Sequence, residues 1–244
     1  MPETSKRVAL VSGANKGIGF EIARRLGLAG LTVFVGARDP ALGAAAAAKL
    51  RAENLDVRHV ELDLTRPASI EAVAAALRGE FQRLDVLVNN AAILDPGDGS
   101  PSVVEVDAVR RSMETNFFGT LALTRAMLPL VREAPAGRIV NVSSGLGSLT
   151  LNADPDWIFA PYKLLGYCAS KAALNMLTVQ LAFELRDTAI KVNSADPGFT
   201  ATDMNDHRGT QTIEEGAAEP VRLALLPAEG PNGGFFETAG RRPW

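Results

Sequence analysis

Val8-Ala9-Leu10-Val11-Ser12-Gly13-Ala14-Asn15-Lys16-Gly17-Ile18-Gly19 is the stretch whose reading decides the fold. Its first five residues form a short apolar run of strand type, and the glycines that end it permit a tight turn. Helical spacing takes over across 20–28. A helix beginning at such a turn aims its free N–H groups forward, and a phosphate is a common ligand there. The spacing is Gly-x-x-x-Gly-x-Gly rather than Gly-x-Gly-x-x-Gly. Nor is it a P-loop, because Lys16 is followed by Gly17 and Ile18 and not by a magnesium-binding hydroxyl. On this stretch alone, glycines kept for packing are the competing reading.

The same alternation continues along the chain. Strands are expected at 31–37, 57–62, 84–88, Arg138–Val142 and 190–195, with a short last one at 235–236. Helices are expected from Pro40, at 68–77, over a long span of roughly 107–131, from Tyr167 to Leu185, and near 214–226. A loop rich in Pro, Gly and Asp covers 95–101, and an irregular segment runs to about Tyr162. Strands separated by helices of this length imply right-handed crossovers and a parallel sheet covered on both faces. The expected architecture is therefore a single-domain, doubly wound (Rossmann-type) α/β fold over residues 1–244. Ligands in such sheets bind at the carboxyl ends of the strands.

Composition narrows the function classes. At 244 residues and 47% hydrophobic, the chain can bury a large core. A net charge of −3 without a basic stripe argues against a nucleic-acid binder. The single cysteine, Cys168, excludes an internal disulfide, and with only His59 and His207 beside it no metal site is expected. No apolar run reaches the ~18 residues of a membrane helix. Residues 1–7 lack a signal-peptide core, so the expectation is a soluble cytoplasmic protein.

The strand ends carry the chemistry. Strand two ends in Gly36-Ala37-Arg38-Asp39. A carboxylate there would bind the ribose 2′-hydroxyl of NAD, whereas an arginine accommodates the 2′-phosphate of NADP. With Lys16 approaching from the glycine turn, two cations favour NADP(H) over NAD(H), and Asp39 reads better as the cap of the Pro40 helix. Asp63, after strand three, either accepts a bond from an adenine amino group or caps the next turn. Asn89-Asn90-Ala91-Ala92, Ser143-Ser144-Gly145 and Asp196-Pro197-Gly198-Phe199-Thr200-Ala201-Thr202 end the remaining strands in small or polar residues.

Tyr167 and Lys171 stand four residues apart on one helix face, about 5–6 Å between Cβ atoms. An ammonium ~5 Å from a phenol, at an effective dielectric of ~20, is worth about 3 kcal/mol in favour of the phenolate. That spacing therefore predicts a tyrosine made more acidic by its lysine and fit for acid–base work. A lone Tyr-x-x-x-Lys is ordinary helix surface; its company upstream changes the reading.

With the glycine turn, Asn89-Asn90-Ala91, Ser143-Ser144, Tyr167-x-x-x-Lys171 and Pro197-Gly198 in this order, the chain resembles a short-chain dehydrogenase/reductase over essentially its whole length. Within that family it is most similar to the carbonyl reductase branch, on Gly13 through Phe20, Ala37-Arg38-Asp39, Thr202-Asp203-Met204, Ile213-Glu214-Glu215-Gly216-Ala217, Leu223-Ala224-Leu225-Leu226-Pro227 and Pro243-Trp244. The resemblance implies a catalytic tetrad of Asn116, Ser144, Tyr167 and Lys171. The residue pattern alone does not choose between Ser143 and Ser144; the family pattern selects the second. The resemblance also implies cofactor contacts from Gly13, Asn15, Lys16, Gly17, Ile18, Gly19, Arg38, Asp63, Leu64, Asn90, Ala91, Tyr167, Lys171, Pro197, Gly198, Phe199, Thr200 and Thr202. Ser12 departs from the family's usual threonine, and Ala92 from its usual glycine. The interval from Ser144 to Tyr167 exceeds that of the plainest members and falls short of the insertion in monomeric carbonyl reductases.

The implied reaction is reversible hydride transfer between NADPH and a carbonyl carbon. Ser144 would hold the carbonyl oxygen, Tyr167 would deliver the proton, and Asn116 would place a water linking Lys171 to solvent. The substrate site is expected from 145–166 and 198–215. There Leu149, Leu151, Trp157, Ile158, Phe159, Phe199 and Met204 suggest an apolar mouth for a lipophilic ketone or aldehyde, or else simply pack the insertion onto the body. The competing classes are a non-catalytic NAD(P)-binding or sensing protein on the same fold and a sugar-nucleotide epimerase or dehydratase. Apolar residues nearly all round two helices, among them Phe117, Phe118, Leu121, Leu174 and Phe183, favour a homodimer or tetramer.

Overall fold

Eight strands form one sheet in the order β3-β2-β1-β4-β5-β6-β7-β8 in the computed structural model of the chain, which describes residues 6–244. The expectation drawn from Met1 to Ser5 lies outside the described residues. The strands are β1 (Val8–Ser12), β2 (Thr32–Ala37), β3 (Val57–Glu61), β4 (Val86–Asn89), β5 (Arg138–Val142), β6 (Lys191–Ala195), β7 (Phe235–Glu237) and β8 (Gly240–Arg241). The first seven run parallel; β8 turns back antiparallel on β7 through Gly240. Strand order reverses between β1 and β4, which opens the crevice where doubly wound sheets bind ligands.

Every residue of β1, β2 and β5 is buried. Strands covered on both faces need no polar side, which is why apolar residues dominate them, with Thr32, Arg138 and Asn141 among the buried polar exceptions. On one face Val11, Val33 and Val140 pack under α1 (Gly17–Leu28), α2 (Pro40–Ala52) and α8 (Ile213–Ala224). On the other, Leu10, Leu87 and Ile139 pack under α3 (Pro67–Glu80), α5 (Thr120–Arg132) and α7 (Leu165–Glu184). A polar row crosses the sheet beneath α7. Asn89 pairs in register with Asn141, and Asn141 with Ser194. Asn89 donates to Asn141 at 2.8 Å, Asn141 to Thr178 at 2.8 Å, and Thr178 shares a 2.8 Å bond with Ser194. These bonds fix the rotation of α7 on the sheet, although Asn89 Oδ1 is buried without a partner among the described residues.

Three expected boundaries move. α1 begins at Gly17 and α7 at Leu165, each upstream of the position that periodicity indicated. The expected long helix is interrupted: α4 (Val106–Met113) passes into a π-helical turn (Glu114–Gly119) before α5. The cause is tertiary, because Asn116 turns inward to the backbone of Ile93, accepting from its N–H at 2.8 Å and donating to its carbonyl at 2.9 Å. The irregular segment before Tyr167 contains a short helix, α6 (Leu149–Ala153), capped by Ser148.

Candidate active site

The glycine turn closes β1 against β4. Gly13 has φ +64°, and a Cβ there would lie 2.8 Å from Ala91 Cα, so glycine is the residue that lets the two strand ends touch. Ser12 stitches the same junction, its hydroxyl accepting from the N–H groups of Asn90 (3.0 Å) and Ala91 (3.1 Å). The hydroxyl that replaces the family threonine therefore does structural work. Asn90 returns the contact, donating to the carbonyls of Ser12 and Gly13 at 2.9 and 3.2 Å. Gly17, at φ +56°, is the roomier member: a Cβ there would meet only Thr202 Cγ2, 3.8 Å away. α1 has neither a capping side chain nor an acidic residue in its first turn, so its N–H end is open to an anion from outside. Asn15 and Ile18 are half-buried beside it, and Gly19 is buried against Asn90.

Around this crevice the remaining candidates divide. Arg38 stands exposed at the end of β2, while Asp39 caps α2 through the N–H groups of Ala41 (2.8 Å) and Leu42 (3.0 Å). Lys16, which the sequence reading brings toward Arg38, is paired in this structure with an acidic residue. Its ammonium reaches across to Asp203 at 2.6 Å, an exposed pair to which His207 adds a 3.0 Å contact. Asp63 forms its own turn, accepting from the N–H (3.0 Å) and hydroxyl (2.7 Å) of Thr65 and from Arg66 (3.2 Å). Desolvation opposes ionisation there, but these bonds outweigh it and hold the carboxyl below its usual range. Leu64 is buried beneath Gly119. Pro197 and Gly198 (φ +70°) make the turn after β6; Phe199 is half-buried. Thr200 folds its hydroxyl onto the Pro197 carbonyl at 2.9 Å, and Thr202 caps the turn Asp203–Asn205.

Ser144, Tyr167 and Lys171 come together where β5 ends beneath α7. The Ser144 side chain neighbours the Tyr167 phenol closely enough to favour its ionised form. Ser143 takes the other direction: it is 2% exposed, and its hydroxyl has no partner among the described residues. Lys171, 3% exposed, donates to the Val142 carbonyl at 2.7 Å, and its Nζ lies 5.6 Å from the centroid of the Tyr167 ring. Asn116, 1% exposed, donates to the Ser170 hydroxyl at 3.0 Å, and Ser170 donates to the Tyr167 carbonyl at 2.7 Å. Asn116 thus ties the π turn to α7; no hydrogen bond joins it to Lys171 among the described residues.

The electrostatics correct one expectation. Tyr167 is half-buried, and desolvation raises its phenol above the ordinary value; Asp196 adds to the rise and the Ser144 side chain opposes it. Burial also draws Lys171 down to about 8, against the pull of Asp196. The helix spacing does put lysine and tyrosine side by side. In the chain by itself, however, desolvation is the largest influence on both groups, and the phenol moves up and not down.

Sequence reasoning missed what holds α7 in place. The first residue before the helix, Leu164, offers no cap. Asp98, from the loop after β4, supplies it by accepting from the N–H groups of Gly166 and Tyr167, both at 2.8 Å. Asp95 anchors that loop through two bonds from Arg111, 2.6 and 2.9 Å, which hold its carboxyl down at about 2. Asp98 lies 69 positions from Tyr167, so no local pattern reveals the contact. Aromatic side chains roof the site: Trp157 and Phe159 (ring centroids 5.5 Å apart), Phe159 and Phe199 (5.5 Å), Phe159 and Tyr162 (5.9 Å). A Cβ on Gly145, next to Ser144, would come within 3.2 Å of Trp157, so the insertion leans on the strand end that carries the serine. Leu149 and Ile158 remain exposed.

Comparison with known proteins gives a consistent picture. A model of the short chain dehydrogenase family matches residues 7–212. Carbonyl reductase (NADPH) 1 of Mus musculus is 36% identical, over 99% of each chain. (+)-Neomenthol dehydrogenase of Arabidopsis thaliana is 33% identical over 97% of each. Among solved structures, NADPH-bound carbonyl reductase from chicken fatty liver superimposes with a TM-score of 0.84 at 30% identity, covering 98% of this chain and 99% of that one. Salutaridine reductase from Papaver somniferum gives 0.82 at 30% identity, covering 96% and 100%.

Proposed function

The chain belongs to the short-chain dehydrogenase family, on its carbonyl reductase-like branch, and from that premise we propose that it reduces a ketone or aldehyde reversibly with NADP(H). The observation that carries this reading is Lys171, buried on the Val142 carbonyl at the end of β5 with its ammonium 5.6 Å from the Tyr167 ring and Ser144 beside the phenol, together with the uncapped N-terminus of α1. The residues present fit the dinucleotide: Gly13 and Gly17 keep the turn low, Ala91 and Asn90 hold it against the end of β4, and the first turn of α1 carries no capping or acidic side chain to compete with an anion. Arg38 takes the 2′-phosphate. Lys16 assists once it leaves Asp203, a change that an exposed ion pair hardly resists. When bound, the reduced nicotinamide supplies the hydride.

The chain's own residues handle the oxygen. Ser144 donates its hydroxyl to the substrate carbonyl, where negative charge grows as the bond breaks. Tyr167, kept protonated by its surroundings, gives that oxygen its proton. Lys171 holds positive charge beneath the phenol, and its pKa of about 8 lets it pass a proton near neutral pH. Asn116 fixes the height of α7 through Ser170. Residues 145–166 and 198–215 build the substrate mouth, and Trp157, Phe159 and Phe199 select lipophilic carbonyls by shape and apolar surface.

Phe118, Met176 and Phe183 stand more than half exposed on the π turn and the outer side of α7. Next to them a groove of about 860 Å³ is lined by Leu121, Leu128, Leu177 and Phe183. A second copy of the chain covers this surface in our reading. No helix among the described residues is long and apolar enough to cross a membrane. The test of function is a panel of ketones, aldehydes and their alcohols assayed with NADPH and NADP. Turnover of apolar carbonyls supports the reading. Tight NADPH binding without turnover across the panel replaces it with a sensing role.

A further inference from the structure

Asp196 ends β6 just before the Pro197-Gly198 turn and is 4% exposed. A buried carboxylate is costly unless it is paired and hydrogen-bonded, and this one is both. It accepts from the Gly198 N–H at 2.9 Å through Oδ1 and from the Arg242 guanidinium at 3.1 Å through Oδ2. Arg242 comes from the segment following β8. It is itself held, with Nη2 on Glu237 at 2.8 Å and its backbone N–H on the Phe235 carbonyl at 2.8 Å. A Cβ on Gly145 would lie 3.1 Å from Asp196 Oδ2, so the carboxylate rests against the strand end that presents Ser144.

Ala195, the residue before Asp196, pairs in register with Val142, whose carbonyl holds the Lys171 ammonium at 2.7 Å, so the carboxylate stands one residue beyond the anchor of that lysine. The groups on α7 that feel this charge are Lys171 and Tyr167. Facing it from the β7–β8 hairpin and beyond are Glu237 and Arg242. We infer that Asp196, pinned by Arg242, is a positioning residue for the reaction, a fixed countercharge that keeps protons on the Tyr167–Lys171 pair. This rests on the reading of Tyr167 as the proton donor. A negative charge here opposes the loss of the Lys171 proton caused by burial and reinforces the protonated phenol. Both effects favour the reductive direction, in which the phenol gives its proton away. Arg242 sets how much of that charge the pair experiences.

Two measurements on the full chain test the inference. The first is the pH profile of kcat/KM in both directions for the native chain, Asp196→Asn and Arg242→Gln. Because interacting groups titrate together, the shift is read on the pair. Asp196→Asn should move the limbs about one pH unit lower, and Arg242→Gln should move them higher. Simple damage to the fold lowers the amplitude without moving the limbs in opposite directions. The second measurement needs no turnover. In the ligand-free chain, stability relative to a Lys171→Met partner should start to rise with pH near the folded pKa of Lys171. That onset should fall in Asp196→Asn and climb in Arg242→Gln. Should Asp196→Asn fail to fold, Arg242→Gln decides alone. Onsets that stay put or move the same way overturn the inference. Turnover retained by Tyr167→Phe overturns the underlying reading instead, and leaves the stability experiment standing.

Discussion

Lys171 directs its ammonium to the Val142 carbonyl, 2.7 Å away, while standing 5.6 Å from the centre of the Tyr167 ring. A lysine so placed is held by the sheet and not by the phenol. Desolvation is the largest influence on its charge and draws its pKa down to about 8.

This has a consequence for stability. The folded pKa lies below the unfolded value near 10.5, so the unfolded state binds more protons between these limits and stability rises with pH there. Compared with Lys171→Met, the native chain should gain on the order of 3 kcal/mol between about pH 8 and pH 10.5. Thermal or denaturant melts of the two proteins across that window check it. A flat difference means that Lys171 keeps an ordinary pKa.

Cofactor choice should depend unequally on the two cations. Arg38 is exposed and has no ion pair among the described residues, whereas Lys16 already sits on Asp203. Arg38→Ser should therefore cost about tenfold to a hundredfold in the NADPH to NADH ratio of kcat/KM, the range of a lost charge-assisted contact. Lys16→Gln should cost less. Steady-state kinetics with both cofactors give the ratio, and an unchanged value for Arg38→Ser would place the 2′-phosphate elsewhere.

Asp98 caps a helix to which it does not belong. Asp98→Ala removes the acceptor for the Gly166 and Tyr167 N–H groups and should cost about 1–2 kcal/mol, or several degrees in Tm. Asp98→Asn keeps an acceptor oxygen and should recover part of the loss. Melting curves for both variants measure this; an unaltered Tm in the alanine variant would mean that water caps α7 equally well.

The exposed apolar strip beside α7 predicts self-association. Light scattering should give at least twice the 25.8 kDa of one chain, and Phe183→Glu should lower that mass. A single-chain mass for the native protein contradicts the proposed pairing.

What the sequence made legible follows the range of the interactions. Val8–Val11 was readable because burial on both faces writes an unbroken apolar run, and Arg138–Val142 because Ile139, Val140 and Val142 are β-branched. Asp39 was readable as a cap because its acceptors lie two and three residues away. The start of α1 was hidden by glycines that serve turn and helix alike. The π turn depends on Ile93, the cap of α7 on Asp98, and the buried countercharge on Arg242, none of them near in sequence. The i,i+4 spacing of Tyr167 and Lys171 gave their adjacency correctly but carried no information about solvent. The sign of the tyrosine's shift was therefore beyond its reach.

Tyr167→Phe is the most direct test of the proton-donor role. The substitution deletes one hydroxyl and leaves the ring, α7 and the glycine turn in place. The expected result is NADPH binding close to native, by fluorescence or calorimetry, with carbonyl reduction lowered at least a thousandfold, on the order expected when a proton donor and a positioned hydrogen bond are lost together. Native-like turnover in that variant would contradict the account.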